Sequence, residues 1–189
     1  LYREAISELN RLYGLRAVRE KLDALAQRFT WNRLQLEAEI GDVKVDLHPG
    51  NMRFVGPPGT GKSTVARLMG KLLFGLGAIK SPRTIEASRS NLVAGFQGQS
   101  AIRVREIFER ARGGVLFVDE AYSLVNGPQD TFGKESLDEL VAQITRPENE
   151  DTVVILAGYE RPLQQLIEEN PGLTRRIPNT LRFDHFEPS

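Results

Sequence analysis

Nine consecutive residues, GPPGTGKST from Gly56 to Thr64, combine glycines, a lysine and hydroxyl side chains at a spacing that can hold phosphate. They follow the apolar run MRFV and open a run with helical periodicity, which is the strand–loop–helix context that the pattern GxxxxGK[ST] requires. The glycines let backbone amides turn towards an anion, and the amino terminus of the following helix adds favourable dipole charge. The sequence therefore predicts a cradle for the phosphates of a nucleotide.

The residue types in this loop predict how a triphosphate and its Mg²⁺ ion are held. Lys62 is expected to reach the β- and γ-phosphates, and Ser63 to offer its hydroxyl to Mg²⁺, with Thr64 as a secondary neighbour. The loop residues expected around the phosphates are Pro58, Gly59, Thr60 and Gly61. A glycine- and proline-rich turn with an exposed lysine is the alternative, which the agreement of spacing, residue type and flanks disfavours.

Two carboxylates follow the apolar run VLFV about sixty residues further on. A buried parallel strand delivers such side chains at its carboxyl end, where ligands bind in sheets of this kind. Asp119 is placed to help hold Mg²⁺, commonly through water, and Glu120 to polarise the water that attacks the γ-phosphate. A solvated strand end is the alternative. A water-activating glutamate favours hydrolysis over phosphoryl transfer to an acceptor.

Alternating apolar and helical segments supply the elements that position these residues. Short apolar runs separated by helices are typical of a parallel sheet with helices on both faces. The predicted strands are MRFV, TIEA, VLFV, TVVILA and TLRF, and two amphipathic helices precede them. We predict an α/β P-loop fold with a five-stranded parallel sheet, a helical segment and linker over residues 1–50, and the nucleotide-binding core over 51–189. Trp31, in the second helical series, is expected to pack against the core.

Composition narrows the class of protein. The 189 residues are 40% hydrophobic, enough for one substantial core, and Lys plus Arg equals Asp plus Glu at 25 each. This charge balance gives no support for a nucleic-acid partner or a membrane surface. The chain has no cysteine, no signal-peptide pattern and no apolar run near the ~18 residues of a membrane span, which favours a cytoplasmic protein. His48 and His185 lack metal-ligand spacing and are interpreted as surface residues.

With these motifs in place, the chain resembles the AAA+ ATPases, and within them the branch of red-type Rubisco activase, the EccA ATPases of type VII secretion and the stage V sporulation protein K group. The resemblance spans nearly the whole chain and rests on YGLRAVREKL, GPPGTGKSTVAR, NLVAGFQGQSA, GGVLFVDEAYSL, VVILAGY and NPGLTRRI. The phosphate motif alone would indicate only the superfamily, whereas GGVLFVDEAYSL with AGY and NPGL is far more specific. The resemblance implies an ATP- and Mg²⁺-dependent ATPase that acts on a protein client in a ring, expected to be a hexamer.

The resemblance also implies two sets of nucleotide contacts outside the phosphate loop. Tyr13, Gly14 and Leu15 are expected near the adenine through backbone and apolar contacts, with an interhelical turn as the alternative. In GLTRRI, Arg176 matches best the family arginine that enters the neighbouring subunit's active site, and Arg175 is the adjacent candidate. A guanidinium suits the charge that develops on the transferred phosphoryl group. Two arginines on a solvated helix end are the alternative.

A client contact is implied for the segment NLVAGFQGQS. Phe96 matches an aromatic residue on a loop that projects into the central pore, with Gly95 and Gly98 giving that loop flexibility. Such a ring could grip an extended polypeptide by stacking, without reading its sequence. The alternative is a core phenylalanine beneath a glycine-rich loop. The segment from Leu124 to Gly133 is interpreted as a second pore loop.

Two features depart from the family pattern. Many members end the fourth strand with an Asn or Thr that orients the attacking water, whereas this strand ends in Gly158 and Tyr159. Tyr159 is assigned to that role, with packing against the phosphate loop as an equal alternative. The chain ends at Ser189, just beyond the last strand, where members continue into a helical lid. The lid subdomain is therefore expected to be missing from this chain.

A second hypothesis comes from a different class of protein: a nucleotide-dependent assembly or regulatory module with slow or no turnover. The intact set Lys62, Ser63, Asp119 and Glu120 argues against an inactive ATPase. A nucleic-acid motor or clamp loader shares the motifs but gains no support from charge. A GTPase would carry a guanine-reading NKxD motif, which the sequence lacks. We therefore expect no nucleic-acid partner and no membrane insertion.

Overall fold

A computed structural model of the protein describes residues 2–12, 15–37 and 48–184. The helices are α1 at Tyr2–Arg11, α2 at Arg16–Glu37, α3 at Lys62–Gly75, α4 at Arg89–Leu92, α5 at Gln99–Ala111, α6 at Thr131–Ile144, α7 at Glu160–Glu168 and α8 at Pro171–Thr174. The strands are β1 at Met52–Val55, β2 at Thr84–Ala87, β3 at Val115–Val118, β4 at Val153–Gly158 and β5 at Asn179–Arg182. Short 3₁₀ turns occupy Ala121–Leu124 and Pro147–Asn149. Tyr13, Gly14 and His185 lie outside the described residues.

The five strands form one parallel sheet in the order β2-β3-β4-β1-β5. This order places β1, which leads into the phosphate loop, directly beside β4, and β4 beside β3, which leads to the acidic pair. Each apolar run predicted as a strand is present, with ends that differ by one residue in β4 and β5. The runs were recognisable because strands covered on both faces are apolar throughout. The predicted α/β fold with a five-stranded parallel sheet is confirmed.

Helices cover both faces of the sheet. On one face, Phe54, Phe117 and Ile155 pack with apolar side chains from α1, α2 and α3. On the other face, Leu116 and Leu156 pack with apolar side chains from α5, α6 and α7. Successive strand residues point to opposite faces, so the same short strands build both cores. The helices that precede the sheet therefore share a core with the helix that follows the phosphate loop.

The second helix does not bury its tryptophan, so the prediction that Trp31 packs is wrong. Trp31 is 63% exposed, whereas Phe29 is 6% exposed. Two positions along an α-helix turn the side chain by roughly 200°, which places these two residues on opposite sides of α2. Although α2 has 22 residues, neither it nor any other helix among the described residues is apolar enough over sufficient length to cross a membrane.

The amino-terminal end of the sheet is held by a buried asparagine, the first residue after the predicted linker. The Asn51 side chain accepts a hydrogen bond from the Val154 backbone N–H at 2.8 Å and donates one to the Arg176 carbonyl at 3.0 Å. Asn51 directly precedes β1, Val154 lies in β4, and Arg176 lies between α8 and β5. One side chain therefore fixes three segments that are distant in sequence.

Candidate active site

A cleft opens at the carboxyl ends of β1, β3 and β4, where the phosphate loop, the acidic pair and the end of the fourth strand meet. The cleft is lined by Gly56, Pro58, Gly59, Gly61, Lys62, Ser63, Asp119, Glu120, Tyr122, Gly158 and Tyr159. Most of the predicted phosphate and metal residues are in this set. Ligands bind at this edge of parallel sheets because the loops that leave adjacent strands converge there.

The phosphate loop is closed by its own side chains. Gly61 has a φ of 88°, a conformation that glycine adopts easily, and α3 begins immediately after it at Lys62. Lys62 Nζ donates to the carbonyl oxygens of Gly56 at 2.8 Å and Pro57 at 2.5 Å. The Thr60 hydroxyl donates to the Pro57 carbonyl at 2.8 Å. Thr60 is therefore buried within the loop, behind the surface that lines the cleft.

Among the residues that the structure describes, the cleft contains one cationic side chain, that of Lys62, and two carboxylates, those of Asp119 and Glu120. Burial lowers the pKa of Lys62, and the negative charges of Asp119 and Glu120 act in the opposite direction and raise it. An ammonium group on one wall and carboxylates on the other suit a phosphate chain bridged by a divalent cation.

Glu120 has a strained backbone. Its φ of 47° and ψ of 45° place it in the left-handed region, and it is the one non-glycine residue with positive φ in the described part of the chain. This conformation costs roughly 1–2 kcal/mol for a residue with a Cβ. Hydrogen bonds hold it: the Glu120 N–H donates to Asp119 Oδ1 at 2.9 Å, and the Ser123 N–H donates to the Glu120 carbonyl at 2.8 Å. Strain of this kind concentrates at functional sites, where surrounding structure maintains it.

Tyr122 lines the cleft although the sequence analysis did not select it. Its ring lies 6.0 Å from that of Tyr159, at an interplanar angle of 44°. Burial raises the pKa of the Tyr122 hydroxyl, and the nearby Glu120 charge raises it further. The available signal was its position two residues after the acidic pair, on the turn that leaves the same strand.

Four further predicted site residues lie outside the cleft lining. The Leu15 side chain is buried in the apolar core on the α3 side of the sheet, and Thr64 lies in the first turn of α3 outside the cleft lining. The Arg176 carbonyl is bonded to Asn51 at the amino end of β1, whereas the cleft is at the carboxyl end of this four-residue strand. Four strand residues separate the two ends by roughly 13 Å. Neither Arg175 nor Arg176 lines the cleft.

Comparison with known proteins agrees with this geometry. The family model for the ATPase family associated with various cellular activities (AAA) matches residues 52–184. The chain belongs to the AAA family of ATPases. That match begins at β1 and ends just after β5, so it covers the whole sheet and every residue that lines the cleft.

Individual relatives place the AAA chain in the predicted branch. It is 43% identical over 188 residues to the ESX-1 secretion system protein EccA1 of Mycolicibacterium smegmatis. It is 36% identical over 186 residues to stage V sporulation protein K of Bacillus subtilis, and 35% identical over 187 residues to the chloroplastic ribulose bisphosphate carboxylase/oxygenase activase of Cyanidioschyzon merolae. Each alignment covers 98% of this chain, but only 32%, 56% and 62% of the respective relative.

The glycine-rich loop of the AAA chain projects an aromatic ring from a fixed base. Phe96 is 72% exposed, which excludes the alternative that it is a core residue. Beneath it, the Ala94 N–H donates to the buried Ser100 hydroxyl at 3.0 Å, and Arg103 Nη1 donates to the Val93 carbonyl at 2.9 Å. We call residues 93–98 the Phe96 loop. Its base is bonded to α5 while its tip faces outwards.

The predicted second pore loop is shorter than expected. Residues Thr131–Gly133 belong to α6, because Asp130 caps this helix by accepting a hydrogen bond from the Gly133 N–H at 2.9 Å. The sequence prediction placed the loop end at Gly133 and is wrong by these three residues. A glycine in a first helical turn resembles a loop residue when only sequence is considered.

Arg89 connects the two loops of the AAA chain. Its Nη1 donates to the carbonyls of Ser123 at 3.1 Å and Leu124 at 2.5 Å, and to Asp130 Oδ2 at 2.6 Å. This guanidinium is the main cause that lowers the pKa of Asp130 to about 2, and the N–H groups of Asn126 and Gly133 contribute. Arg89 begins α4, which leads to the Phe96 loop, and its acceptors follow Glu120. One side chain therefore bonds the helix that precedes the Phe96 loop to the segment that follows the acidic pair.

Proposed function

We propose that this chain is the ATP-hydrolysing core of a Mg²⁺-dependent, ring-forming motor that remodels or threads a protein client. The observation that carries the proposal is the convergence of Lys62, Ser63, Asp119 and Glu120 on one cleft. Two relatives support a protein client through their names, which refer to a secretion system and to the activation of an enzyme. The chain spans less than two thirds of the length of each of these relatives. A role of the same kind is therefore proposed for this chain and is not taken over from them.

The donor set of the cleft fits ATP with Mg²⁺. Lys62 and the amides of the phosphate loop would hold the β- and γ-phosphates, and the Ser63 hydroxyl and the Asp119 carboxylate would offer hard oxygen ligands to Mg²⁺. Bound Mg²⁺ supplies positive charge that neutralises the phosphate oxygens and fixes their geometry. We propose that Tyr13, Gly14 and the backbone of Leu15 contact the adenine, and that the chain acts in the cytoplasm.

Hydrolysis follows from the positions of Glu120 and Lys62. Glu120 accepts a hydrogen bond from a water molecule and draws its proton away as the water oxygen attacks the γ-phosphorus. The new P–O bond forms as the bond between the γ-phosphorus and the β–γ bridging oxygen breaks, which yields ADP and inorganic phosphate. Lys62 stabilises the charge that develops on the phosphate oxygens.

The arginines complete the site of a neighbouring copy. Arg176, with Arg175 as the adjacent candidate, lies at the opposite end of β1 from its own phosphate loop, so its geometry favours action in trans. One copy that presents its arginine edge to the next copy's cleft makes a heterologous contact, which closes into a ring when the rotation permits. A hexamer is the ring that we propose.

The Phe96 loop is the proposed client contact. An exposed ring on a loop with a fixed base offers a large apolar surface that can pack against many kinds of side chain. Gly95 and Gly98 flank Phe96 and allow the tip to change conformation while its base stays bonded to α5. This arrangement suits a grip that does not depend on client sequence.

The proposal is tested by ATP hydrolysis measured over a range of protein concentrations for the wild type, Arg176→Ala and Arg175→Ala. We expect specific activity to rise with concentration and to fall by about 10³-fold in Arg176→Ala, with ATP binding retained. A comparable loss in Arg175→Ala alone would move the role to its neighbour. Activity that depends on neither concentration nor these arginines would refute the trans mechanism. ATP binding without turnover at any concentration would identify a regulatory module instead.

A further inference from the structure

The end of the fourth strand lies between the two halves of the cleft and carries no side chain. Gly158 is paired in register with Val55, and the Gly56 N–H donates to the Gly158 carbonyl at 3.1 Å. On its other side, β4 adjoins β3, which leads to Glu120. Position 158 is therefore next to both the phosphate loop and the strand that delivers the acidic pair.

The ring of Tyr122 occupies the space that a side chain at position 158 would need. A Cβ built on Gly158 would lie 2.7 Å from both Cδ1 and Cε1 of Tyr122, closer than real carbon contacts allow. The backbone of Gly158 does not itself demand glycine, because its φ is not among the positive ones. The glycine is needed because the ring is there. Tyr122 also contacts the Tyr159 ring, so it is held on two sides.

The hydroxyl of Tyr122 has a property that its charged neighbours lack. Asp119 and Glu120 only accept hydrogen bonds when ionised, so they repel phosphate oxygens unless a cation or proton intervenes. A phenol donates one hydrogen bond without carrying charge. Burial and the Glu120 charge raise the pKa of Tyr122, so the phenol keeps its proton across the neutral pH range. The Tyr122 hydroxyl is therefore a neutral hydrogen-bond donor in the same cleft as the Glu120 carboxylate, which is proposed to polarise the attacking water.

We propose that the Tyr122 hydroxyl donates a hydrogen bond to a γ-phosphate oxygen of bound ATP, and that Gly158 is required because the Tyr122 ring fills the space above it. This inference rests on the proposed function and adds a catalytic residue to it. The turn that follows β3 thereby supplies the neutral donor that the end of β4 cannot supply. This hydrogen bond contributes most as negative charge grows on the phosphate oxygens, because hydrogen bonds to charged acceptors are stronger than hydrogen bonds to neutral ones.

The first test removes the hydroxyl and keeps the ring. Tyr122→Phe is expected to lower kcat by about 10- to 100-fold, the range for losing one hydrogen bond to a charged group. The affinity for ADP should stay within about threefold. Tyr2→Phe is the matched control, because it removes a phenol hydroxyl on α1, outside the cleft lining, and it should keep kcat within about threefold. An unchanged kcat in Tyr122→Phe, or an equal loss in Tyr2→Phe, would overturn the assignment.

A second test asks whether Gly158 acts through the Tyr122 ring. Gly158→Ala should displace the ring and lower kcat to a similar extent. The double variant Gly158→Ala with Tyr122→Phe should lose little more than either single change, since residues that act as one unit are not additive. Losses that multiply in the double variant would show that the glycine and the hydroxyl act separately and would overturn the link between them.

A binding measurement separates this inference from the proposed function. The ratio of ATPγS to ADP affinity reports contacts to the γ-phosphate without any turnover. Tyr122→Phe should weaken the binding of ATPγS by about tenfold relative to the binding of ADP, whereas Tyr2→Phe should not. If the wild type binds ATP but never hydrolyses it, the proposed function fails and this ratio still decides the role of Tyr122. An unchanged ratio together with wild-type kcat would leave Tyr122 as a packing residue only.

Discussion

The nucleotide cleft and the Phe96 loop both follow strands of the same sheet, but the chain treats their key side chains in opposite ways. Lys62 is buried to 9% exposure and donates to two carbonyls of its own loop. Phe96 is 72% exposed and extends from a base that α5 holds in place. The cleft is organised by contacts within the chain, whereas the aromatic ring at the tip of the Phe96 loop is exposed and accessible to another molecule.

This difference shows where each function can be disrupted. A change in the cleft should alter ATP hydrolysis whether or not a polypeptide is engaged, because the contacts of the cleft residues lie within the chain. A change at the loop tip should matter only when a polypeptide is engaged. Arg89 belongs to neither region and bonds segments next to both. Its loss should therefore leave each region intact but weaken the coupling of polypeptide binding to ATP hydrolysis.

The largest expected effect is confined to the cleft. Glu120→Gln removes the carboxylate that polarises water and should lower kcat by about 10²- to 10⁴-fold while ATP still binds. Phosphate release and calorimetric ATP binding measure the two quantities. Glu106→Gln, a matched change of an exposed glutamate on α5, should stay within about twofold of wild type. Equal losses in both variants, or loss of ATP binding in Glu120→Gln, would contradict the assigned role.

The next effect is confined to the loop tip. Phe96→Ala should weaken the binding of a fluorescently labelled, permanently unfolded polypeptide by about tenfold or more, because it removes an aromatic contact surface. Basal ATP hydrolysis should remain within about twofold. Ile102→Ala truncates another exposed apolar side chain, on α5, and should change neither quantity. A Phe96→Ala variant that binds the polypeptide as well as wild type does would remove the functional basis of the comparison.

A smaller effect tests the connection between the regions. Arg89→Ala deletes the donor to Ser123, Leu124 and Asp130 and should reduce polypeptide stimulation of ATP hydrolysis by about five- to tenfold, with basal hydrolysis within about threefold. Arg89→Lys keeps the charge but not the planar fork, so it should fall between wild type and alanine. If basal and stimulated rates drop in parallel, Arg89 supports the fold without coupling the two regions.

The smallest effect is the pH dependence of stability at the same junction. The pKa of Asp130 is lowered from 3.8 to about 2, so its contribution is fully present above pH ~4 and is lost as the pH falls towards 2. Asp130→Asn keeps a helix cap but loses the charge, and should cost on the order of 1 kcal/mol of unfolding free energy at neutral pH. Urea unfolding at pH 7 and pH 3 measures this, and the difference between variant and wild type should shrink at pH 3. Asp138→Asn, exposed on α6, should show no such pH-dependent difference.

The sequence was most informative where function imposes a local pattern. The phosphate loop and the acidic pair were found because their chemistry requires fixed residue types at fixed spacing beside an apolar strand. The strands were found because sheets covered on both faces need continuous apolar runs. Family membership and the branch to which the chain belongs followed from longer stretches of the same kind.

The error at Trp31 was local, because Trp31 lies two residues after Phe29 and helical geometry places the two side chains on opposite sides of α2. The omissions have a common origin in contacts between distant parts of the chain. Tyr122 was missed because its value depends on Gly158, thirty-six positions later, leaving room for its ring. Asn51 directly follows the predicted linker, and its partners Val154 and Arg176 are distant from it in sequence. No local pattern encodes any of these pairs.

The Asn51 side chain also sets a length. It ties the Arg176 carbonyl to the start of β1, and the phosphate loop begins where that strand ends, so the span between the two is a rigid strut of about four strand residues, or roughly 13 Å. We expect this distance to stay constant when the nucleotide bound in the cleft changes. In the ring that we propose, we therefore expect a change at one pocket to move the arginine end relative to the neighbouring subunit by rotating the whole body, and not by changing this distance.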